Sequence, residues 1–507
     1  MSADLWFSIV PALSAIIFAM WTKQVIPSLL IGLWIGSLLY TGSLISSFNQ
    51  TIGYIMGVLT DTGNLDVLLF LYLFSGLVAL IQISGGVQAF ASVISDYIKG
   101  PNKTLLTSWG LLPITFMDCG FRVVAGGAII KPLAKRYHVA RERLAYMLNN
   151  SASPVIILIP MATTFVGYTT GVIKKGMDAA GIQGSAISMF ISSIPFQFFS
   201  YTSIIVALTS LVPALNFPKM KTIIQQNGTE QSRQQKTGGN INKDLVFEAS
   251  DEISRNKDNL EKAETAEDQM GVAAKEENQM DDGMDMGMKQ EEPALKPRLL
   301  NLIIPIALLI PLSFILMWNS NTPSRMMLIA LLITLIASVV LYLIQGLKLK
   351  TIMDRFVKGG NKLMTTIIIL VLAWPISDVS QDLGMIQLIQ RTLGGTIPAV
   401  WIPLIVFTIT SAVTYFIGSS WGAWALMMPV AIPLAASTGS PLPLVIAAVL
   451  SGGTFGDVTS PVSGMTAMSS GISGADHMTY VRAMSPYNMT AAVIAAGLFA
   501  VIPFVTG

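Results

Sequence analysis

Long apolar runs, on the order of 18 residues or more, repeat along this chain with short polar interruptions between them. Runs of that length cross a bilayer as helices, so the pattern predicts an all-α polytopic membrane protein. The first run, Leu5 to Met20, lacks a positive leading region and feeds straight into a second run. It reads as a span and not as a cleavable signal. Residues 218–298 break the pattern. They hold 17 of the chain's 29 acidic residues, are rich in Gln, Asn and Lys, and carry few aromatics. Such a composition cannot bury enough apolar surface to offset chain entropy, which predicts a disordered linker. Three regions follow: 1–217 as a first transmembrane repeat, 218–298 as a disordered cytoplasmic linker, and 299–507 as a second transmembrane repeat.

The two apolar regions echo each other. "NSASPV" at 150–155 resembles "DVTSPV" at 457–462, and "QISGGVQ" at 82–88 faces "QDLGMIQ" at 381–387. Order and spacing nearly match, as in a duplicated unit. Positive charge suggests orientation. Lys99 and Lys103 precede the stretch 104–130, and Lys131, Lys135, Arg136, Arg141 and Arg143 follow it. Both ends then face the cytoplasm, as does the cluster from Lys348 to Lys362. The comparable stretch 398–437 has almost no positive flank after it, so it should open the other way. The repeats would be inverted in the membrane.

Four short stretches interrupt lipid-compatible helices: "FMDCGFR" (116–122), "NNSASP" (149–154), "GSSWGAW" (418–424) and "TFGDVTSP" (454–461). Gly and Pro free backbone groups from the helical ladder. Freed groups at membrane depth must be buried in protein or line a polar cavity. Helix ends there carry partial charge, and neighbouring hydroxyls and amides can complete a shell for a hard cation such as Na+. A carboxylate at that depth marks a functional site by default, which singles out Asp457. The same breakers also serve close helix packing and kinks without any function. Asp118 and Arg122, four apart, read either as an acid with a guanidinium that tunes it or holds an anionic substrate, or as an ion pair, or as an arginine reaching toward the cytoplasm. Asp378 and Asp382 follow Trp374-Pro375, where a helix end is expected, and read as interfacial. His477, beside Asp476, reads as part of a cytoplasmic loop.

Composition narrows the classes. The chain is 52% hydrophobic and 12% charged, against roughly 25% charged in soluble domains. A net charge of +2 argues nothing about nucleic acid. One cysteine, Cys119, excludes an intramolecular disulfide and a cysteine zinc site, and two histidines leave no His-rich metal centre. H-E-x-x-H does not occur, and two histidines are too few for most hydrolytic sites, which argues against a membrane hydrolase. A passive channel could use the same broken helices. The run "MDDGMDMGM" (280–288) suits either a soft Cu(I) ligand set or a solvated linker.

The segments "LFSGLVALIQISGGVQAF" (73–90), "FMDCGFRVVAGGAIIKPLAKRYHVARERLAYMLNNSASPV" (116–155), "GSSWGAWALMMPVAIPLA" (418–435) and "FGDVTSPVSGMTAMSSGISGADHMTYVRAMSPY" (455–487) resemble the NhaC-type Na+/H+ antiporter family of the ion transporter superfamily. The resemblance implies two inverted repeats, each with a re-entrant hairpin and a discontinuous helix that meet near the membrane centre. It implies antiport coupled to Na+ or H+, with no bound cofactor. Some relatives move carboxylates or amino acids, so a Na+- or H+-coupled carrier of such solutes is the alternative. Where the family commonly has two adjacent acids, this chain has Asp118 and Cys119. Asn149, Val458 and Gly464 stand where relatives usually carry Asp, His and Asp, while Asp457 is retained. The expected ion and solute residues are Asn149, Asn150, Ser151 and Ser153 in the first break and Asp457, Thr459 and Ser460 in the second. Asp118 and Arg122 belong to the first hairpin tip, and Ser419, Ser420 and Trp421 to the second. Asp457 and Asn149 are the candidate Na+ ligands. The expected partners are the bilayer and a small ion or organic solute, with no nucleic acid. A homodimer is compatible with the sequence, and the expected location is the plasma (inner) membrane of a prokaryote.

Overall fold

The computed structural model describes residues 4–22, 24–95, 98, 100–160, 163–212, 215–218, 220–223, 295–296, 298–317, 323–385, 387–388 and 398–506. The chain divides into two units, Met1–Phe217 with Gln290–Gly507, and Pro218–Lys289. The predicted linker lies, apart from a few residues near its ends, outside the described residues, as does the methionine-rich run 280–288.

The first unit is helical, and no strand occurs among its described residues. Up to the linker the helices are α1 (Val10–Thr22), α2 (Val25–Thr41), α3 (Leu44–Thr60), α4 (Thr62–Ile83), α5 (Gly86–Ser95), α6 (Pro101–Gly110), α7 (Leu112–Thr115), α8 (Cys119–Arg136), α9 (Arg141–Asn150), α10 (Ser153–Ile156), α11 (Thr164–Ala179), α12 (Ala186–Ser193) and α13 (Phe198–Thr209). After it come α14 (Leu300–Met317), α15 (Pro323–Ile344), α16 (Leu349–Asn361), α17 (Met364–Asp382), α18 (Ile402–Ile417), α19 (Ser420–Thr438), α20 (Leu442–Thr459), α21 (Gly464–Ser473) and α22 (His477–Thr506). Among the described residues, 7 helical segments are long and apolar enough to cross a membrane, and the pair Ala186–Phe196 and Phe198–Thr209, bent by 44°, makes an eighth if it is one span. Ile45, Ile336, Ile344, Val493 and Val505 point outward from this bundle. Water would reject that apolar belt, and a bilayer solvates it. The chain is therefore an integral membrane protein.

Burial locates the centre. The span Leu442–Ser473 is 89% buried, whereas His477–Val505 is 28% buried. The first of these runs through α20 and α21 and is packed by α18, α19 and α22. Glycine makes that packing close. A methyl on Gly456 would sit 2.4 Å from Thr414 Cβ, and one on Gly452 would sit 2.7 Å from Thr410 Cβ. One on Gly453 would sit 1.9 Å from Trp424 Nε1. Gly456, inside the predicted break 454–461, was expected to unwind the chain. The structure keeps all three glycines helical and uses them as a small-residue face against α18 and α19. The break comes later, at Ser460–Ser463.

A second expectation also fails. α17 does not stop at Trp374-Pro375 but runs through the proline to Asp382. Proline is tolerated inside a membrane helix where neighbours satisfy the freed carbonyl. Asp378 consequently sits within a helix, half-buried, in an ion pair of 2.6 Å with Lys175 of α11.

Candidate functional site

The second break begins with one missing donor. Pro461 has no N–H to give to the carbonyl of Asp457, four residues back. Side chains replace it. Ser463 Oγ donates to Asp457 O at 2.6 Å and Thr466 Oγ1 at 3.3 Å. The carbonyl of Val458 is freed as well, because the Val462 amide turns to Ser460 Oγ. Two amides cover it: Asn149 Nδ2 at 3.1 Å and Asn488 Nδ2 at 2.8 Å. Asn149 Nδ2 also reaches Tyr480 Oη at 2.8 Å. His477 Nε2 lies 2.7 Å from Pro461 O and its Nδ1 3.0 Å from Ser470 Oγ. His477 thus opens α22 and braces the break; it is not part of a loop.

Asp457 stands in the last turn of α20, one turn before the unwound stretch, and is 4% exposed. Its Oδ2 accepts from Ser153 Oγ at 2.5 Å, and Ser463 Oγ lies 3.4 Å from its Oδ1. No lysine or arginine is within ion-pair distance of it among the described residues. Ser153 comes from the first break, so this hydrogen bond, with that from Asn149 to Val458 O, joins two interrupted segments across 304 and 309 residues of chain.

The first break follows the same logic. Pro154 cannot donate to Asn150 O, and the Val155 amide turns to Ala152 O at 3.1 Å. The carbonyl of Ser151 is left free, and Arg122 Nε donates to it. Arg122 Nη1 donates to Thr115 Oγ1 at 2.8 Å and Nη2 to Ser108 O at 2.6 Å. Arg122 is 2% exposed and forms no ion pair with Asp118. Asp118 instead caps α8, accepting from the Phe121 amide at 2.8 Å and from Thr164 Oγ1 at 3.1 Å. Neither the predicted acid–guanidinium couple nor an arginine reaching for the surface is present. Cys119, next along, faces Ser153.

The tip between α18 and α19 closes the site. Gly418, with φ +74°, ends α18, and a methyl there would lie 2.5 Å from Val462 O. Ser460 Oγ donates to Tyr415 O at 2.6 Å, pinning the second break to the same tip. Ser419 caps α19 by accepting from the Gly422 amide at 3.2 Å. Ser420 faces the Asp457 carboxylate without completing a hydrogen bond. Trp421 belongs to an aromatic group: its ring packs edge-on to Phe165 at 5.0 Å and to Tyr168 at 4.6 Å. Tyr168 also donates to Trp421 O.

Of the expected residues, Asn149, Ser153, Ser420 and Asp457 meet around one point. Ser153 and Asp457 touch directly, Ser420 faces the carboxylate, and Asn149 reaches the main chain beside it, not the carboxylate itself. Thr459 and Ser420 are buried with hydroxyls that have no partner among the described residues, as is Asn149 Oδ1. Asn150 turns away: its Oδ1 accepts from Ser203 Oγ at 2.6 Å and its Nδ2 donates to Tyr146 O. The Ser151 hydroxyl serves Leu148 O, so only its carbonyl faces Arg122. Sequence reasoning missed Ser463, Thr466, Tyr480 and Asn488. Lone polar residues in otherwise apolar helix are a usable signal, and Asn488 and Tyr480 carry it.

A helical bundle with an outward apolar belt, and with four helix interruptions gathered at its most buried point, is the build of a secondary transporter. The comparisons agree. The chain belongs to the Na+/H+ antiporter family, whose family model matches residues 155–503. It is 26% identical to an uncharacterized protein of Haemophilus influenzae, over 99% of this chain and 92% of that one. It is 41% identical to the malate-2H(+)/Na(+)-lactate antiporter of Bacillus subtilis over 20% of this chain and 22% of that protein. It is 36% identical to the arginine/ornithine antiporter ArcD of Halobacterium salinarum over 21% of each. The chain thus matches only about a fifth of either characterised antiporter. The structure of MtrF from Neisseria gonorrhoeae, described as one of a class of antimetabolite efflux pumps, superposes with a TM-score of 0.56 at 14% identity, covering 93% of this chain and 86% of that one. That likeness concerns the fold alone.

Proposed function

We propose that this protein is a cation-coupled antiporter of the Na+/H+ type, working by alternating access, with its exchange site where the four interruptions meet. The observation that carries this reading is the Asp457 carboxylate. It is buried, lacks a cationic partner among the described residues, and is surrounded by hydroxyl and main-chain oxygens. A buried carboxylate in that setting costs several kcal/mol unless it takes a proton or a cation. Proton and Na+ then compete for one charge, which is the minimal requirement for exchange. Residues 1–217 and 299–507 act as inverted repeats. Each supplies a re-entrant hairpin, with tips at Asp118 and Ser419, and a discontinuous helix, broken at Ser151–Ala152 and Ser460–Ser463. The Ser153–Asp457 contact breaks and reforms as they rock. The positive clusters at 131–143 and 348–362 put their ends, and the linker, on the cytoplasmic side of a prokaryotic inner membrane.

A second reading, exchange of organic acids or amino acids, draws on the names of the two partial relatives. The geometry gives it less support, because three donors of Arg122 are already committed to protein oxygens. Both readings are tested together by flux into proteoliposomes under imposed Na+ and proton gradients, crossed with a panel of amino acids and organic acids. Saturable Na+-driven proton movement without added solute supports the first reading. Flux that requires a solute supports the second, and flux indifferent to both gradients contradicts both.

A further inference from the structure

The two breaks share Ser-Pro-Val, so their carbonyls can be compared position by position. Ser151 in "NSASPV" corresponds to Val458 in "DVTSPV", and Asn150 corresponds to Asp457. Both carbonyls are freed by the same local chemistry, yet they are met differently. Val458 O receives two neutral amides, beside a carboxylate. Ser151 O receives a guanidinium, beside a neutral amide. The remaining ligands of that guanidinium are Ser108 O and Thr115 Oγ1. Two main-chain carbonyls and a hydroxyl, all neutral, form an oxygen shell around the guanidinium. Arg122 sits in it 2% exposed, with no carboxylate in ion-pair reach among the described residues. A buried charge normally demands a counter-charge. Here its compensation comes from carbonyl and hydroxyl dipoles, as for a bound metal ion, and arginine keeps its charge under ordinary conditions.

We propose that Arg122 is a tethered cation that permanently fills the oxygen shell of the first break. Only the second break, with Asp457, is left to exchange a cation. The consequence for coupling, one exchangeable positive charge per cycle instead of two, rests on the transport reading given above. The occupancy of the shell by a fixed charge does not.

The test separates charge from hydrogen bonding. Arg122→Gln keeps donors but is neutral; Arg122→Lys keeps the charge. Thermal melting is measured for wild type and both variants in detergent, in choline, sodium and methylguanidinium chloride at equal ionic strength. The expected result is that Arg122→Gln melts several degrees below wild type in choline and recovers saturably with millimolar methylguanidinium. Arg122→Lys stays near wild type in choline, and wild type gains nothing from methylguanidinium. If Arg122→Gln yields folded protein only when methylguanidinium is present during purification, the proposal also stands. It is overturned if Arg122→Gln matches wild type in choline, if choline and methylguanidinium act alike on it, or if Arg122→Lys is as damaged as Arg122→Gln. Rescue in the melts combined with gradient-indifferent flux in wild type would sink the transport reading while leaving the tethered cation in place. Coupled flux combined with no rescue would do the reverse.

Discussion

Replacing Gly418 by alanine tests whether the α18–α19 tip must touch the second break. Gly418 has φ +74°, and the added methyl would meet Val462 O at 2.5 Å and Val462 Cγ2 at 2.9 Å. Ordinary contact begins near 3.4 Å, so the tip and the break must part by about 0.9 Å. Left-handed backbone costs a non-glycine residue about 1–2 kcal/mol. Overpacking adds about 1–3 kcal/mol. The expected loss is therefore about 2–5 kcal/mol of stability. A misplacement near 1 Å at a positioned site costs on the order of 100-fold in rate. Gly439→Ala supplies the control: Gly439 has φ +73°, but a methyl there meets nothing within 4 Å. It pays the backbone term alone, about 1–2 kcal/mol, and should keep its flux. The assay is melting by tryptophan fluorescence in detergent beside flux in proteoliposomes. Equal behaviour of the two variants in both assays would refute the reasoning, because it would mean that contact with Val462 is irrelevant.

Three further outcomes follow from single contacts. Ser153→Ala removes the 2.5 Å hydrogen bond to Asp457 that links the two interrupted segments; a charge-assisted buried bond of this kind is worth about 1.5–3 kcal/mol, so melting should fall and cation-dependent stabilisation should change. Unchanged melting and cation response would show the bond to be idle. Asn488→Leu uncovers one side of Val458 O and should destabilise by about 1–3 kcal/mol, readable in denaturation and in faster proteolysis near Pro461. A double-mutant cycle on Lys175 and Asp378, 16% and 31% exposed, should give a coupling of about 1 kcal/mol that weakens with salt. Zero coupling would mean that the pair does not hold α11 to α17.

The sequence displays some parts of this arrangement openly and hides others for identifiable reasons. Apolar run length reveals the spans directly, because a bilayer imposes their length. The two Ser-Pro-Val repeats mark both interruptions, because a proline at that point removes one specific hydrogen bond. Gly456 misleads, since glycine signals unwinding and close packing with the same letter; only Thr414, distant in sequence, decides between them. Arg122 misleads for a related reason. Its i,i+4 spacing from Asp118 suggests a pair, but the helix cap claims Asp118 and the Ser151 carbonyl, 29 residues away, claims the arginine. Asn488 and Tyr480 went unnoticed because they lie in the outermost span, and their role exists only once α22 packs against the break.

The central claim is that Asp457 carries the exchangeable charge, and charge movement on a supported membrane after a sodium or proton jump tests it most directly. Wild-type protein should give a saturable current for either ion, with each suppressing the other. Asp457→Asn should give none while melting at or above the wild-type temperature, since the amide relieves a buried charge without a partner. A current of wild-type size from Asp457→Asn, with the same competition between the two ions, would contradict the account.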